Sequence, residues 1–144
     1  MFDSILVVCV GNICRSPVGE RILKNYLSYK IVESAGLNAV AGHSADDTAQ
    51  RVAQQHGISL EGHIARQVTF EMCKRNDLIL VMEKKHLASL CNLFPEIRGK
   101  TMLFGHWDKD VEIYDPYRKN QEVFEAVFNM LDKSAYQWAK VLGK

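Results

Sequence analysis

The stretch that decides the fold is residues 5–17, which read Ile-Leu-Val-Val-Cys-Val-Gly-Asn-Ile-Cys-Arg-Ser-Pro. It opens with a continuous apolar run, which is typical of a strand covered on both faces of a parallel sheet. Ser16 is a favourable N-cap, and Pro17 fits the first helical position, where its missing N–H costs nothing. The sequence therefore predicts a buried strand ending at Cys9, a short loop, and a helix that starts at Ser16.

The rest of the chain alternates short β-rich runs with longer helical patterns. The predicted strands are residues 5–9, 30–34, 78–82 and 101–104. The predicted helices are residues 16–27, 47–55, a short one after Thr69, residues 84–91, and a final helix whose apolar stripe runs over 124–142. This alternation predicts an α/β fold in which right-handed crossovers build a parallel sheet with helices on both faces.

Composition limits the classes of function that fit. A chain of 144 residues predicts a single domain spanning 1–144, and a net charge of +1 argues against broad binding to nucleic acid or to membrane surfaces. The first apolar run is too short to span a bilayer, and no basic signal segment precedes it. We therefore expect a cytoplasmic protein without membrane insertion. Four cysteines and five histidines show no metal-ligand spacing, so we expect neither a metal nor a cofactor.

The loop after the first strand is suited to binding an anion. Gly11 and Asn12 tolerate left-handed backbone angles, which allow successive N–H groups to point inward. The following helix adds free N–H donors and the positive end of its dipole, and Arg15 adds a planar fork that matches two phosphate oxygens. Because ligands of open parallel sheets bind beyond the carboxyl ends of the strands, the pattern predicts a cradle for a tetrahedral dianion.

Cys9 lies at the start of this cradle and is the candidate nucleophile. A helix N-terminus and a guanidinium favour the thiolate over the thiol, and the Ser16 hydroxyl is placed to stabilise that thiolate. The alternative is a small buried apolar residue that ends a strand. The flanking loop favours the nucleophile.

Residues 9–17 closely resemble the phosphate-binding loop of the low-molecular-weight protein tyrosine phosphatases. The resemblance covers nearly the whole chain and includes residues 34–36, 62–67, 77–83 and Asp115-Pro116-Tyr117. Within that family the sequence is most similar to bacterial members that accompany capsule and exopolysaccharide export. The resemblance implies a flavodoxin-like three-layer sandwich with a four-stranded parallel sheet in the order 2-1-3-4.

The resemblance also implies roles for individual residues. Cys9 would form a cysteinyl-phosphate, Arg15 would bind the phosphoryl oxygens, and Asp115 would protonate the leaving phenolate and later activate water. Asn12, Ser34 and His63 would support the loop. Substrate contacts are expected from Val10, Gly11, Asn12, Ile13, Cys14, Ser16, Val40 and Tyr117. The implied partner is a tyrosine-phosphorylated protein, namely a bacterial tyrosine autokinase, and we expect the phosphatase to be a monomer.

The sequence leaves open two alternative functions and the role of Cys14. Thiol-dependent arsenate reductases share this fold and a similar loop, but they need a closely spaced redox pair, whereas Cys73 and Cys91 are 18 residues apart. A phosphotyrosine-binding module without turnover would need neither Cys9 nor Asp115. Cys14 is either an apolar packing group or, as the family implies, a resolving thiol that captures oxidised Cys9 as a disulfide.

Overall fold

The computed structural model describes residues 2–143 and contains four strands and five α-helices in that range. In chain order these are β1 (Ser4–Cys9), α1 (Arg15–Tyr26), β2 (Ile31–Gly36), α2 (Asp47–Gln55), α3 (Phe70–Arg75), β3 (Leu78–Val81), α4 (Lys84–Leu93), β4 (Thr101–Leu103) and α5 (Gln121–Leu142). A 3-10 helix, Pro95–Lys100, joins α4 to β4. No helix within this range is both long and apolar enough to cross a bilayer.

The four strands form one parallel sheet in the order β2-β1-β3-β4, which confirms the predicted fold. Alternate side chains of β1 pack into two separate apolar cores, one on each face of the sheet. Ile5 and Val7 belong to the core that includes α1, α2 and α5, whereas Leu6 and Val8 belong to the core beneath α3 and α4. The central strand is therefore covered on both faces, as its unbroken apolar sequence predicted.

The prediction that Ser16 caps the first helix is wrong. Helix α1 begins at Arg15, its N-cap is Cys14, and no side chain caps it. The Ser16 hydroxyl is instead engaged with Cys9 and Asn12 inside the preceding loop. Pro17 is tolerated at the third helical position because the N–H groups of the first turn have no intrahelical acceptor.

Other strand and helix boundaries differ from the predicted ones by a few residues, and each difference has a local cause. Strand β2 extends to Gly36 because its last two residues still pair with Val8 and Cys9. Helix α5 begins at Gln121 because the Asn120 side chain accepts a hydrogen bond from the Val123 N–H. The sequence did not predict the 3-10 helix after α4.

Gly36 allows the loop after β1 to lie directly against the end of β2. A Cβ atom at this position would lie 2.4 Å from the Val10 carbonyl oxygen, which is closer than any side chain permits. The Leu37 N–H then donates to the Cys9 carbonyl oxygen at 2.9 Å, and the Asn38 N–H donates to the Val10 carbonyl oxygen at 2.9 Å. These contacts fix where the predicted cradle opens.

Candidate active site

The loop between β1 and α1 curls around a cavity of about 190 Å³ at the carboxyl end of the sheet. Most of the predicted site residues line this cavity, together with Asn38, which the sequence did not single out. The lining residues are Cys9, Val10, Gly11, Ile13, Cys14, Arg15, Asn38, Val40, Asp115 and Tyr117. Asn12 and Ser16 do not line it, although they were predicted as substrate contacts. Both are fully buried beneath the loop, so their contribution is to hold it.

Asn12 organises the loop from inside. Its backbone φ of 59° is left-handed, as the sequence predicted for this position. Its Nδ2 donates to the hydroxyls of Ser16 at 2.8 Å and Ser34 at 3.0 Å, and its Oδ1 accepts from the Arg66 N–H at 3.0 Å. Both amide hydrogens are therefore used, and the side chain has one orientation that satisfies all three partners.

The Asn12 contacts determine the direction of the hydrogen bond to Cys9. Because the Ser16 hydroxyl oxygen accepts from Asn12, its own hydrogen is free to be donated elsewhere. The Cys9 Sγ lies 2.9 Å from that oxygen and is 3% exposed as a residue. The network thus presents an O–H donor to the sulfur, and a donor of this kind stabilises a thiolate more strongly than a thiol.

Ser34 extends the network to Glu20, a residue that the sequence analysis missed. Since Ser34 also accepts from Asn12, it donates its hydrogen to Glu20 Oε1 at 2.7 Å. The Glu20 residue is only 6% exposed, and its other oxygen accepts from Arg21 and Lys24. No local pattern in the sequence identified Glu20, because its role depends on Ser34, which lies 14 positions away in β2.

His63 holds the loop backbone through the Asn12 carbonyl. Its Nε2 lies 2.7 Å from that oxygen, and because a carbonyl only accepts, Nε2 must carry the proton. Burial lowers the pKa of His63 below its usual value, although the hydrogen bond to Asn12 opposes this effect. The imidazole is therefore neutral near pH 7. The structure joins Asn12, Ser34 and His63 in one hydrogen-bonded network.

Arg15 is held below the cavity by two acceptors that leave part of its fork free. Its Nη1 donates to Glu83 Oε2 at 2.6 Å and to the Ile113 carbonyl oxygen at 2.8 Å, while Nη2 lies 4.0 Å from Asp115 Oδ2. Burial raises the pKa of Glu83, but the hydrogen bond and charge of Arg15 outweigh this effect, so the net pKa is lowered. Glu83 is thus an ionised partner for a guanidinium that is almost fully buried.

His86 supports Glu83 at the start of α4. The Glu83 N–H donates to His86 Nδ1 at 3.2 Å, which requires the neutral tautomer with its proton on Nε2. Burial and the nearby charge of Arg15 lower the pKa of His86 to about 4. The Nε2 atom lies 3.4 Å from Glu83 Oε2, outside hydrogen-bond geometry but close enough for electrostatic attraction. Neither Glu83 nor His86 was assigned a role from the sequence.

The segment containing Asp115 is anchored by the residue that follows it. Pro116 is buried and lines a small apolar cavity between α1, α2 and α5, where it faces Val18 and Phe124. Asp115 remains half exposed, and its Oδ1 accepts from the Tyr117 N–H at 3.0 Å. Oδ2 is consequently the oxygen that faces Arg15 across the cavity.

Tyr117 and Val40 both line the cavity and are partly exposed, so they belong to its rim. The Arg118 guanidinium lies over the Tyr117 ring, 5.3 Å from its centroid, in a backbone conformation with φ of 64°. The rim therefore combines one aromatic and one aliphatic side chain, a surface suited to a flat aromatic ring.

The remaining cysteines are buried thiols. Cys14 lines both the cavity that contains Cys9 and the small apolar cavity between α1, α2 and α5, and burial raises its pKa well above the usual range. Cys73 and Cys91 belong to the core beneath α3 and α4, and burial raises the pKa of Cys73 to about 11. Neither of them lines the cavity that contains Cys9.

Comparisons with known proteins agree on one family. The family model described as low molecular weight phosphotyrosine protein phosphatase matches residues 4–144. The chain is 58% identical over 142 residues to the low molecular weight protein-tyrosine-phosphatase Wzb of Escherichia coli (strain K12), covering 99% of this chain and 97% of that protein.

Solved structures show the same similarity in three dimensions. The crystal structure of the tyrosine phosphatase AmsI of Erwinia amylovora superposes with a TM-score of 0.98 at 55% identity, covering 100% of this chain and 95% of that one. The tyrosine phosphatase Wzb from Escherichia coli K30, solved in complex with sulphate, gives a TM-score of 0.97 at 50% identity, with coverage of 99% and 100%.

Proposed function

Because this chain belongs to the low-molecular-weight protein tyrosine phosphatase family, whose members use a cysteine nucleophile, we propose that Cys9, Arg15 and Asp115 are its catalytic residues. The chain is a protein-tyrosine-phosphatase by this membership. The observation that best supports the residue assignment is a single cavity whose lining includes the sulfur, the guanidinium and the carboxyl group. The Ser16 hydroxyl behind Cys9 is placed to donate to the sulfur of the attacking nucleophile.

In the first step, the Cys9 sulfur attacks phosphorus in line with the tyrosyl oxygen. An S–P bond forms while the P–O bond to the phenol breaks, and protonated Asp115 gives its proton to the departing phenolate. Nη1 of Arg15 is occupied by Glu83, so its remaining N–H groups and the loop N–H groups bind the equatorial oxygens. These donors stabilise charge where it develops in the transition state.

In the second step, water replaces the sulfur. Asp115, now a carboxylate, takes a proton from the water as its oxygen bonds to phosphorus and the S–P bond breaks. The Ser16 O–H stabilises the departing thiolate, which restores the resting enzyme. Inorganic phosphate is then released.

Substitutions at the three residues test this assignment. Cys9→Ser abolishes turnover but retains anion binding, because the cradle donors remain. Asp115→Asn slows aryl phosphates with poor leaving groups much more than those with good leaving groups, since only the former need the proton. Arg15→Lys loses activity because an ammonium cannot replace the fork. Equal slowing of all leaving groups in the Asp115 variant would contradict its role as the acid.

The proposed physiological substrate is a tyrosine-phosphorylated protein, specifically a bacterial tyrosine autokinase of polysaccharide export, and the proposed setting is a cytoplasmic monomer. The sequence resemblance to the bacterial members that accompany capsule and exopolysaccharide export supports this partner. A direct test is loss of phosphotyrosine from the kinase of the same organism with wild-type enzyme and retention with Cys9→Ser. Persistence of the signal with active wild-type enzyme would exclude that kinase as substrate.

The two alternative functions have less support. An arsenate reductase needs two further redox cysteines that can reach the first, but Cys73 and Cys91 are buried in a different core and do not line the cavity. A non-catalytic binding module leaves unexplained why an acid and a sulfur with a dedicated hydroxyl donor share one cavity. Phosphate release from phosphotyrosine peptides distinguishes all three.

A further inference from the structure

A second concavity opens beside the cradle, and its volume is about 580 Å³. One wall is formed by α4 through Lys85, Ser89, Asn92 and Leu93, with buried His86 beneath them. The other wall is formed by Val10 and Leu37. We call this concavity the α4 groove. Val10 lines both the α4 groove and the cavity that contains Cys9, so the two adjoin at this residue.

We propose that the α4 groove binds the polypeptide on one side of the phosphotyrosine and thereby selects the sequence of the substrate. This inference rests on the proposed function, because it requires a phosphotyrosine in the neighbouring cradle. The occupant is the substrate chain itself, since any peptide whose phosphate reaches Cys9 must leave the cavity over an adjoining surface. The α4 groove is such a surface, because it shares Val10 with the cavity and its residue Leu37 is next to Asn38 of the cavity lining.

The dimensions of the groove set how many residues it can bind. Lys85 and Leu93 are eight positions apart on one helix, which corresponds to about 12 Å along its axis. An extended chain advances about 3.3 Å per residue. The groove therefore accommodates three to four residues next to the phosphotyrosine.

The chemistry along the groove changes from charged to apolar. Lys85 lies at the cradle end, because its Nζ is 3.6 Å from the Glu83 carboxylate that holds Arg15, and its side chain is 73% exposed. The groove lining contains no carboxylate. At the far end, Leu93 is 58% exposed and offers an apolar side chain to a bound peptide. We therefore expect an acidic residue one or two positions from the phosphotyrosine and an apolar residue three or four positions away.

Phosphotyrosine peptides with otherwise alanine flanks test this directly. Glutamate is placed one or two positions away, or leucine three or four positions away, first before and then after the phosphotyrosine. Because the groove leaves the cradle in one direction, only one of the two sides should respond. We expect glutamate to raise kcat/KM two- to fivefold, as an exposed ion pair does, and leucine to raise it about tenfold.

Two groove variants and two matched controls test whether the gains in kcat/KM come from the α4 groove. Lys85→Ala should remove the gain from glutamate, and Leu93→Ser should remove the gain from leucine. The control variants Lys140→Ala and Val141→Ser make the same types of change in the last turn of α5. This turn is close to Gly143, which lies near Leu27 at the end of α1. The controls should keep both gains, and all four variants should hydrolyse p-nitrophenyl phosphate at the wild-type rate.

The outcomes separate the groove from the proposed function. Absence of either gain in wild type, or persistence of the gains in the groove variants, would overturn the role of the α4 groove. Failure of wild type to hydrolyse p-nitrophenyl phosphate would instead refute the proposed catalysis. In that case, calorimetric binding of the same peptides to Cys9→Ser still reports the groove, because that variant retains both surfaces.

Discussion

Replacing Asn12 with aspartate reverses the hydrogen bonding of the loop while leaving its shape almost unchanged. Aspartate tolerates the left-handed φ of 59° and keeps an oxygen for the Arg66 N–H. The two Nδ2 donors to Ser16 and Ser34 are lost, and an acceptor takes their place. The Ser16 hydroxyl then turns its hydrogen toward the new carboxylate and away from Cys9.

The size of the effect follows from the single hydrogen bond that Cys9 loses. A hydrogen bond to a charged group contributes about 1.5–3 kcal/mol, which corresponds to a loss of roughly 10- to 150-fold in rate if the thiolate is the attacking species. Repulsion between the new carboxylate and the thiolate adds to this loss. We therefore expect kcat/KM of Asn12→Asp for p-nitrophenyl phosphate to fall by at least about tenfold.

The assay combines turnover with urea unfolding, so that the rate is compared between folded proteins. Asn76→Asp is the matched control, because Asn76 is also buried and donates through Nδ2 to Glu33 and to the Met72 carbonyl oxygen, at the opposite end of β3. It should lower the free energy of unfolding without lowering the rate of the folded enzyme. A folded Asn12→Asp enzyme with kcat/KM within threefold of wild type would refute the assigned hydrogen-bond direction.

Three further predictions concern the cradle and the protein around it. Glu83→Gln replaces the charged acceptor of the Arg15 guanidinium with a neutral one. We therefore expect kcat/KM for aryl phosphates to fall about tenfold. An unchanged kcat/KM would contradict the role of Glu83 in positioning Arg15. Hydrogen bonds, chiefly from Arg75, lower the pKa of Glu33 to about 2 from 4.5, so its stabilisation is complete above pH 4.5 and is lost as pH falls toward 2. Urea unfolding should show a loss on the order of 2–3 kcal/mol across that window, and Glu33→Gln should flatten the dependence. We hypothesise that, after mild peroxide oxidises Cys9 to the sulfenic acid, the Cys14 thiol attacks it, forms a disulfide and releases water. Dithiothreitol should then restore wild type better than Cys14→Ser, and equal recovery would exclude this protection.

The local sequence was sufficient to predict those parts of the fold whose structure depends on a single segment. The apolar run of β1 predicted a strand buried on both faces, and Gly11 with Asn12 predicted a bent loop in front of a helix. The resemblance supplied what spacing alone does not, namely that Asp115 lies beside Arg15 although 100 positions separate them.

The parts that sequence reasoning missed depend on partners distant in the chain. Ser16 looks like an N-cap because its residue type favours that role, but tertiary contacts with Asn12 and Cys9 override the local preference. In the sequence alone, Glu20 and Glu83 resemble ordinary surface carboxylates. Their roles become clear only from their hydrogen bonds in the structure, to Ser34 and Arg15 respectively. Such pairs have no periodicity or spacing that would identify them.

The long sequence separations within the cradle also determine when it can form during folding. Asn12 is held by residues 51 and 54 positions further along the chain, and Arg15 by groups 68 and 98 positions away. Contacts this remote close large loops and therefore form only after much of the chain has collapsed. A nascent chain released before Ile113 has emerged from the ribosome would thus lack a working phosphate cradle. Recovery of activity during refolding is accordingly a reporter of the last long-range docking events, whereas far-ultraviolet circular dichroism follows the earlier helices.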